Sequence, residues 1–163
     1  MSDLLHTHLP STMSIRELLD GLLGREVTLE PGAPLAPSAK TPTSIATYVD
    51  DSLQLRSLIV VDLPFGAYAG AALGLIPVGG ATDAIEAGAL PETMAENLYE
   101  VLNIAASLFN VSGAAHLRLY QVHHAGAPLP ADILARALTL GRREDLKVEV
   151  AGYGAGRLSV VLL

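Results

Sequence analysis

The chain has no cysteine. That excludes disulfides, thiolate zinc sites and a thiol nucleophile, and it fits a reducing compartment, so a cytoplasmic location is expected. Tryptophan is also missing, and aromatic residues make up only 4% of the sequence, so Leu, Val, Ile and Ala must build the core. Basic residues are few. Ten Lys and Arg against 17 Asp and Glu leave a formal net charge of −7, a surface that repels phosphate backbones and anionic headgroups. Neither nucleic acid nor a membrane surface is therefore expected as a partner. No apolar run approaches the about 20 residues needed to cross a bilayer. The most apolar stretch, Phe65 to Ile76, is stopped by Pro77 and reads as a buried helix. Met1 to Pro10 carries neither the basic nor the apolar region of a secretory signal.

Several catalytic patterns are absent too. There is no H-E-x-x-H, so His123-His124 and the pair His6 and His8 read as loop and tail residues, and no metal site is assigned. Asp50-Asp51 and Asp62 lack the alternating ligands of a calcium loop and read as a turn and a strand end. No serine sits in G-x-S-x-G. The glycines of Gly152 to Gly156 do not make G-x-G-x-x-G and read as a hairpin loop.

What remains is a chain of 163 residues, half of them hydrophobic, which is enough for one domain with a real core. Ser14 and Glu17 form a capping-box pattern that opens a helix with Ile15, Leu18, Leu19 and Leu22 on one face and Gly24 as its stop. Val27 to Glu30 reads as a strand. Residues 31 to 42 hold four prolines and read as a flexible loop. Ser44–Val49 and Leu53–Leu63 form a hairpin, and the continuous run Leu58 to Val61 predicts a strand covered on both faces. Pro64 starts a helix in which Gly66, Gly70 and Gly74 leave one side almost bare, so another backbone can approach closely. Thr82-Asp83 caps a short helix to about Ala87. Pro91 sits in the first turn of the longest helix, which runs to about Asn110. Ala114–Val122 is a strand, Pro130 to Leu140 a short helix, and Leu146–Val150 and Leu158–Leu162 the last two strands. Hairpins and helices in this order predict an α+β fold, a mostly antiparallel sheet with helices packed on it.

The helix from Pro91 sorts into two faces at 100° per residue. Met94, Leu98, Val101, Ala105 and Leu108 point to the core. Glu96, Glu100, Asn103 and Ser107 fall on the opposite side, with Glu100 and Asn103 one turn apart. E-x-x-N is common, and the plain alternative is a solvated helix face. Taken with the preceding strand, small-residue helix, Gly-Gly turn and short helix, Glu100-Val101-Leu102-Asn103 resembles the core motif of the CheC/CheX/FliY-type chemotaxis phosphatases, across roughly residues 53–110. The resemblance implies that Asn103 positions a water in line with the aspartyl-phosphate of a response-regulator receiver domain, and that Glu100 engages that partner. Glu96 and Ser107 would be contact residues on the same face. The protein would need no cofactor of its own, and any Mg²⁺ would belong to the receiver. Positioning suits the chemistry, because phosphoryl transfer needs geometry more than a strong base. The sequence departs from the family pattern at Glu96, where Asp or Ser is usual. It departs again at Leu102, where Gly is common and a bulky side chain would hinder docking, and Pro128 lies late for the pattern's downstream proline. The second reading is a non-catalytic interaction domain, forming a homodimer through a sheet edge or through the glycine-rich helix. Leu158 to Leu162 would be a core strand, or, at an edge, a pairing site.

Overall fold

The run Leu58-Ile59-Val60-Val61 has no polar side to offer solvent, and the structure covers both of its faces. The computed structural model describes residues 5–163. The run lies in β3 (Leu55–Asp62), inside a six-stranded sheet with β1 (Val27–Pro31), β2 (Thr43–Val49), β4 (Arg118–His123), β5 (Arg143–Val150) and β6 (Gly154–Leu162). The strand order is β1-β5-β6-β3-β2-β4, and every neighbouring pair is antiparallel. Five helices accompany it: α1 (Thr12–Leu23), α2 (Leu63–Leu73), α3 (Val78–Ala87), α4 (Glu92–Ile104) and α5 (Ala131–Ala137). The expected α+β class, an antiparallel sheet with helices packed on it, is what the chain forms. Among the described residues no helix is long and apolar enough to cross a membrane.

Alternation along the strands divides the apolar residues between two layers. Ala46, Tyr48, Ile59, Val61, Val148 and Val160 face the main core with α1, α2 and α4. Ile45, Leu58, Val60 and Val161 face the other way, where Leu35 of the proline-rich segment and Ile133 and Ala137 of α5 cover them. Arg157 donates to the carbonyls of Ala33 and Pro34 and ties that segment to β6. Burying a side chain such as Leu35 stabilises the fold by about 1.5–3 kcal/mol.

Local signals place α2. Asp62 caps it, its Oδ1 accepting from the N–H groups of Phe65 (2.9 Å) and Arg157 (3.0 Å), so one carboxylate joins the helix start to β6. Gly156 sits opposite, where a Cβ would lie 2.5 Å from the Phe65 nitrogen. Asp50 organises the turn before β3 by accepting from the N–H groups of Ser52 and Gln54 and from Arg56 at 2.9 Å.

Some boundaries differ from the expectations. The cap of α1 is Ser11, whose Oγ accepts from the Ser14 N–H, so the Ser14–Glu17 pair lies inside the first turn rather than before it. α3 begins at Val78, and Thr82 donates back to the Val78 carbonyl instead of capping. The turn between the last strands is confined to Ala151–Tyr153, and Gly154 and Gly156 are strand residues. β6 is flanked by β5 and β3, so its apolar sequence reflects two covered faces and not an edge. The edges are β1 and β4.

The two buried aspartates have opposite linkage to pH. The Gln54 N–H bond, with help from Arg56, holds the Asp50 carboxyl below its ordinary 3.8, whereas burial pushes Asp62 above it. A lowered carboxyl adds stability above its unfolded pKa and loses it as pH falls. A raised one adds stability at low pH and loses it as pH rises through the folded value. Denaturation curves collected between about pH 2.5 and 7 are expected to show a flatter acid limb for Asp50→Asn. For Asp62→Asn, the deficit relative to wild type should shrink with rising pH.

Candidate functional site

Pro91 takes the extended conformation just before α4, and the helix starts at Glu92. Met94, Leu98, Val101 and Leu102 are buried beneath it. The helix keeps its α pitch to Ile104 and then tightens to 3-10 over Ala105–Leu108, so the long helix expected to Asn110 is two helical types in series. Glu96, Glu100, Asn103 and Ser107 all stand exposed on the outer face, as the helical wheel predicts. The ion pairs among the described residues are Arg56–Asp50, Arg143–Asp145 and the long His116–Asp51 contact, so Glu96 and Glu100 are in none of them. Leu102, the residue expected to obstruct docking, is turned into the core and covers nothing on the outer face.

Two contacts hold this helix in place. From beneath, the buried Tyr48 of β2 donates its hydroxyl to the Leu102 carbonyl at 2.6 Å. That carbonyl belongs to the last α turn, where the ladder runs out of partners. Register slips by one residue on both sides of Tyr48, leaving Arg56 of β3 and Tyr120 of β4 as the extra residues. Such bulges re-aim a side chain, and here Tyr48 also meets Phe109 with ring centroids 5.1 Å apart. Burial pushes the Tyr48 phenol well above its usual pKa, so it stays a donor across the physiological range.

From the side, α4 lies on the glycine stripe of α2. A Cβ at Gly66 would lie 3.2 Å from the Leu98 side chain, and one at Gly70 would lie 2.7 Å from the Met94 carbonyl oxygen. Gly74 faces the end of Asn97, and Asn97 donates to the Gly70 carbonyl at 2.9 Å. The close backbone approach expected of the stripe is therefore the approach of α4. Sequence reading missed Tyr48 and Asn97. Asn97 could have been found, because its place on the wheel turns it toward the glycines. Tyr48 could not, since its partner is a backbone carbonyl 54 positions away.

Other sequence candidates do not converge. Among the described residues no three His, Cys, Asp or Glu side chains form a group that could hold a metal. His124 is half-buried, and burial, with His123 beside it, lowers its pKa. A cavity of about 480 Å³ lies between the proline-rich segment and the loop after β4, lined by Pro37, Thr43, Ala127 and Leu129 among others, with no residue from α4.

No protein-family model matches the chain, and no curated protein matches it. Solved structures do. A CheX–CheY–BeF3–Mg complex from Borrelia burgdorferi aligns over 90% of this chain and 90% of its own, at 14% identity and TM-score 0.54. A FliM–SpeE complex from H. pylori aligns over 91% of this chain and 82% of its own, at 8% identity and TM-score 0.55. A FliG–FliM complex from H. pylori gives 92% and 85%, at 8% identity and TM-score 0.51. The chain shares the fold of CheX and of the FliM middle domain. The resemblance read from residues 53–110 thus extends, as fold, along nearly the whole chain.

Two substitutions measure how firmly the site is seated. Tyr48→Phe leaves the Leu102 carbonyl buried without its donor and should cost about 1–3 kcal/mol. Gly70→Ala drives a methyl into the Met94 backbone and should also cost about 1–3 kcal/mol, whereas Gly74→Ala meets only the movable end of Asn97 and should cost less. Urea denaturation of the three variants checks both the sizes and the order.

Proposed function

We propose that the outer face of α4 docks on a phosphorylated receiver domain, and that Asn103 promotes hydrolysis of its aspartyl-phosphate. The observation that carries this reading is the placement of Glu100 and Asn103. They stand side by side, exposed, on a helix anchored from below by Tyr48 and from the side by Gly70. The fold is that of a CheX whose solved complex contains CheY, BeF3 and Mg. The buried Leu102 removes the steric objection to close approach.

A carboxamide has a donor and an acceptor at any physiological pH. The Asn103 Oδ1 accepts a hydrogen bond from a water and aims its lone pair at phosphorus. The water oxygen bonds to phosphorus, the P–O bond to the aspartyl carboxylate breaks with its electron pair going to that carboxylate, and the protons of the water leave with inorganic phosphate. A Mg²⁺ held by the receiver would supply the balancing charge for the phosphoryl oxygens. Glu100, one turn earlier, engages the partner and fixes the approach angle, with Glu96 and Ser107 extending the contact. Positioning of this kind can supply a large share of a barrier reduction.

A second reading has support of its own. The FliM structures share the fold equally well, and one of them is a complex with FliG. In that reading the face binds a protein partner and does no chemistry.

Loss of phosphate from a receiver of the same genome separates the two. Wild type should accelerate dephosphorylation of at least one receiver. Asn103→Ala should lower the rate at saturation by about 100-fold, and Glu100→Ala should act mainly by raising the concentration needed for half-maximal rate. Binding of a receiver with no acceleration would select the second reading.

A further inference from the structure

Three buried side-chain polar atoms have no hydrogen-bond partner among the described residues, and one of them, the Thr43 Oγ1, belongs to a residue that lines a cavity. Thr43 is only 3% exposed. It opens β2 two residues before Ile45, so the two side chains share the face of the strand turned away from α4. Leu129 packs on that side against the cluster around Ile45, and it lines the same cavity. Folded proteins rarely keep a buried hydroxyl without a partner, because the lost hydration is not repaid. A valine would fill the same space without that cost.

The walls of the cavity are stiff. Pro37 and Pro42 stand on one side and Pro128 on the other, each with its φ fixed by its ring. Ser38 and Thr41 close a turn by backbone bonds in both directions (3.2 and 3.1 Å), and the Pro42 carbonyl accepts from the Leu63 N–H at 3.0 Å. Opposite, the Ala125 N–H donates to the Ser44 Oγ at 3.0 Å and the Ala127 N–H to the His124 carbonyl at 3.2 Å. Each wall is thus tied down by bonds of its own. The volume of about 480 Å³ falls within the range of small-molecule sites.

The lining limits what can enter. None of the residues around the cavity carries a charge, and most of them are proline, alanine or leucine. An ion would lose its hydration there and meet no counter-charge. An uncharged apolar body loses little. One staggered step about χ1 exchanges the positions of the Thr43 hydroxyl and methyl, so an occupant can meet the hydroxyl, which donates or accepts.

We propose that this cavity binds an uncharged small molecule with an apolar body and one hydrogen-bonding group, and that Thr43 holds that group. The site lies on the face of the sheet opposite Glu100 and Asn103, and it does not depend on the receiver reading.

NMR titration of the full chain with indole, cyclohexanol and caprolactam covers an aromatic N–H, an alcohol and an amide, all neutral. At least one should give saturable shifts at the amides of Thr43, Ala127 and Leu129. Thr43→Val should weaken its binding about fivefold or more, while the melting temperature holds or rises. Thr43→Ser should bind nearly as wild type. A hydroxyl with a purely structural role would give the reverse, a lower melting temperature with binding unchanged. Saturable shifts at these amides by none of the three probes would overturn the site. Equal binding by Thr43→Val would overturn the role of the hydroxyl, and benzoate binding as tightly as the neutral probes would overturn the assigned class of ligand.

Discussion

The hydroxyl of Tyr48 reaches the Leu102 carbonyl at 2.6 Å, and the arrangement of the outer face depends on it. β2, with bulges against both of its neighbours, sends one aromatic side chain through the core to a helix backbone. The bond fixes the peptide group immediately before Asn103. A buried carbonyl without a partner would cost about 1–3 kcal/mol, so the helix has one favoured rotation and depth above the sheet. Leu102 then points down, and Asn103 and Glu100 point out. Just beyond this bond the helix tightens to 3-10 pitch over Ala105–Leu108, and Ser107 stands exposed there.

α2 acts as a thin spacer. Its buried side chains are nearly all alanine and glycine, so α4 comes close enough for Asn97 to bond the Gly70 carbonyl. Each helical glycine costs roughly 0.5–1 kcal/mol relative to alanine. Close packing of the two helices and the added side-chain bond offset that cost. Asp62 and Gly156 do the equivalent work at the other end of α2, where one carboxylate accepts from both the helix start and β6.

Much of this was legible in the sequence, for physical reasons that differ by element. The run Leu58 to Val61 declared two covered faces because neither side of its pleat is polar. The glycine spacing declared a close approach, and the wheel from Pro91 placed Glu96, Glu100, Asn103 and Ser107 outside correctly. The signals that failed were short-range ones with several solutions. Ser11, Ser14 and Thr82 can all accept or donate near a helix start, and only tertiary packing decides which does. Leu102 looked obstructive because it stands next to Asn103 in the motif, although it lies four residues after Leu98 and shares its buried face.

The strand order carries a consequence for how the chain acquires its structure. β6 sits between β5 and β3, so residues 57–61 pair with residues 158–162. Until the β5–β6 hairpin inserts, β3 has a bare side and β1 has no neighbour at all. Such distant pairing makes folding slow compared with helical proteins of this size. The hairpin Gly154 to Leu162 forms with Arg143 to Val150 is local, and it can be ready early. The expected sequence of events is therefore two preformed hairpins, β2–β3 and β5–β6, that meet late along one seam. During that interval the apolar edge of β3 is the place where a newly made chain is most exposed to aggregation.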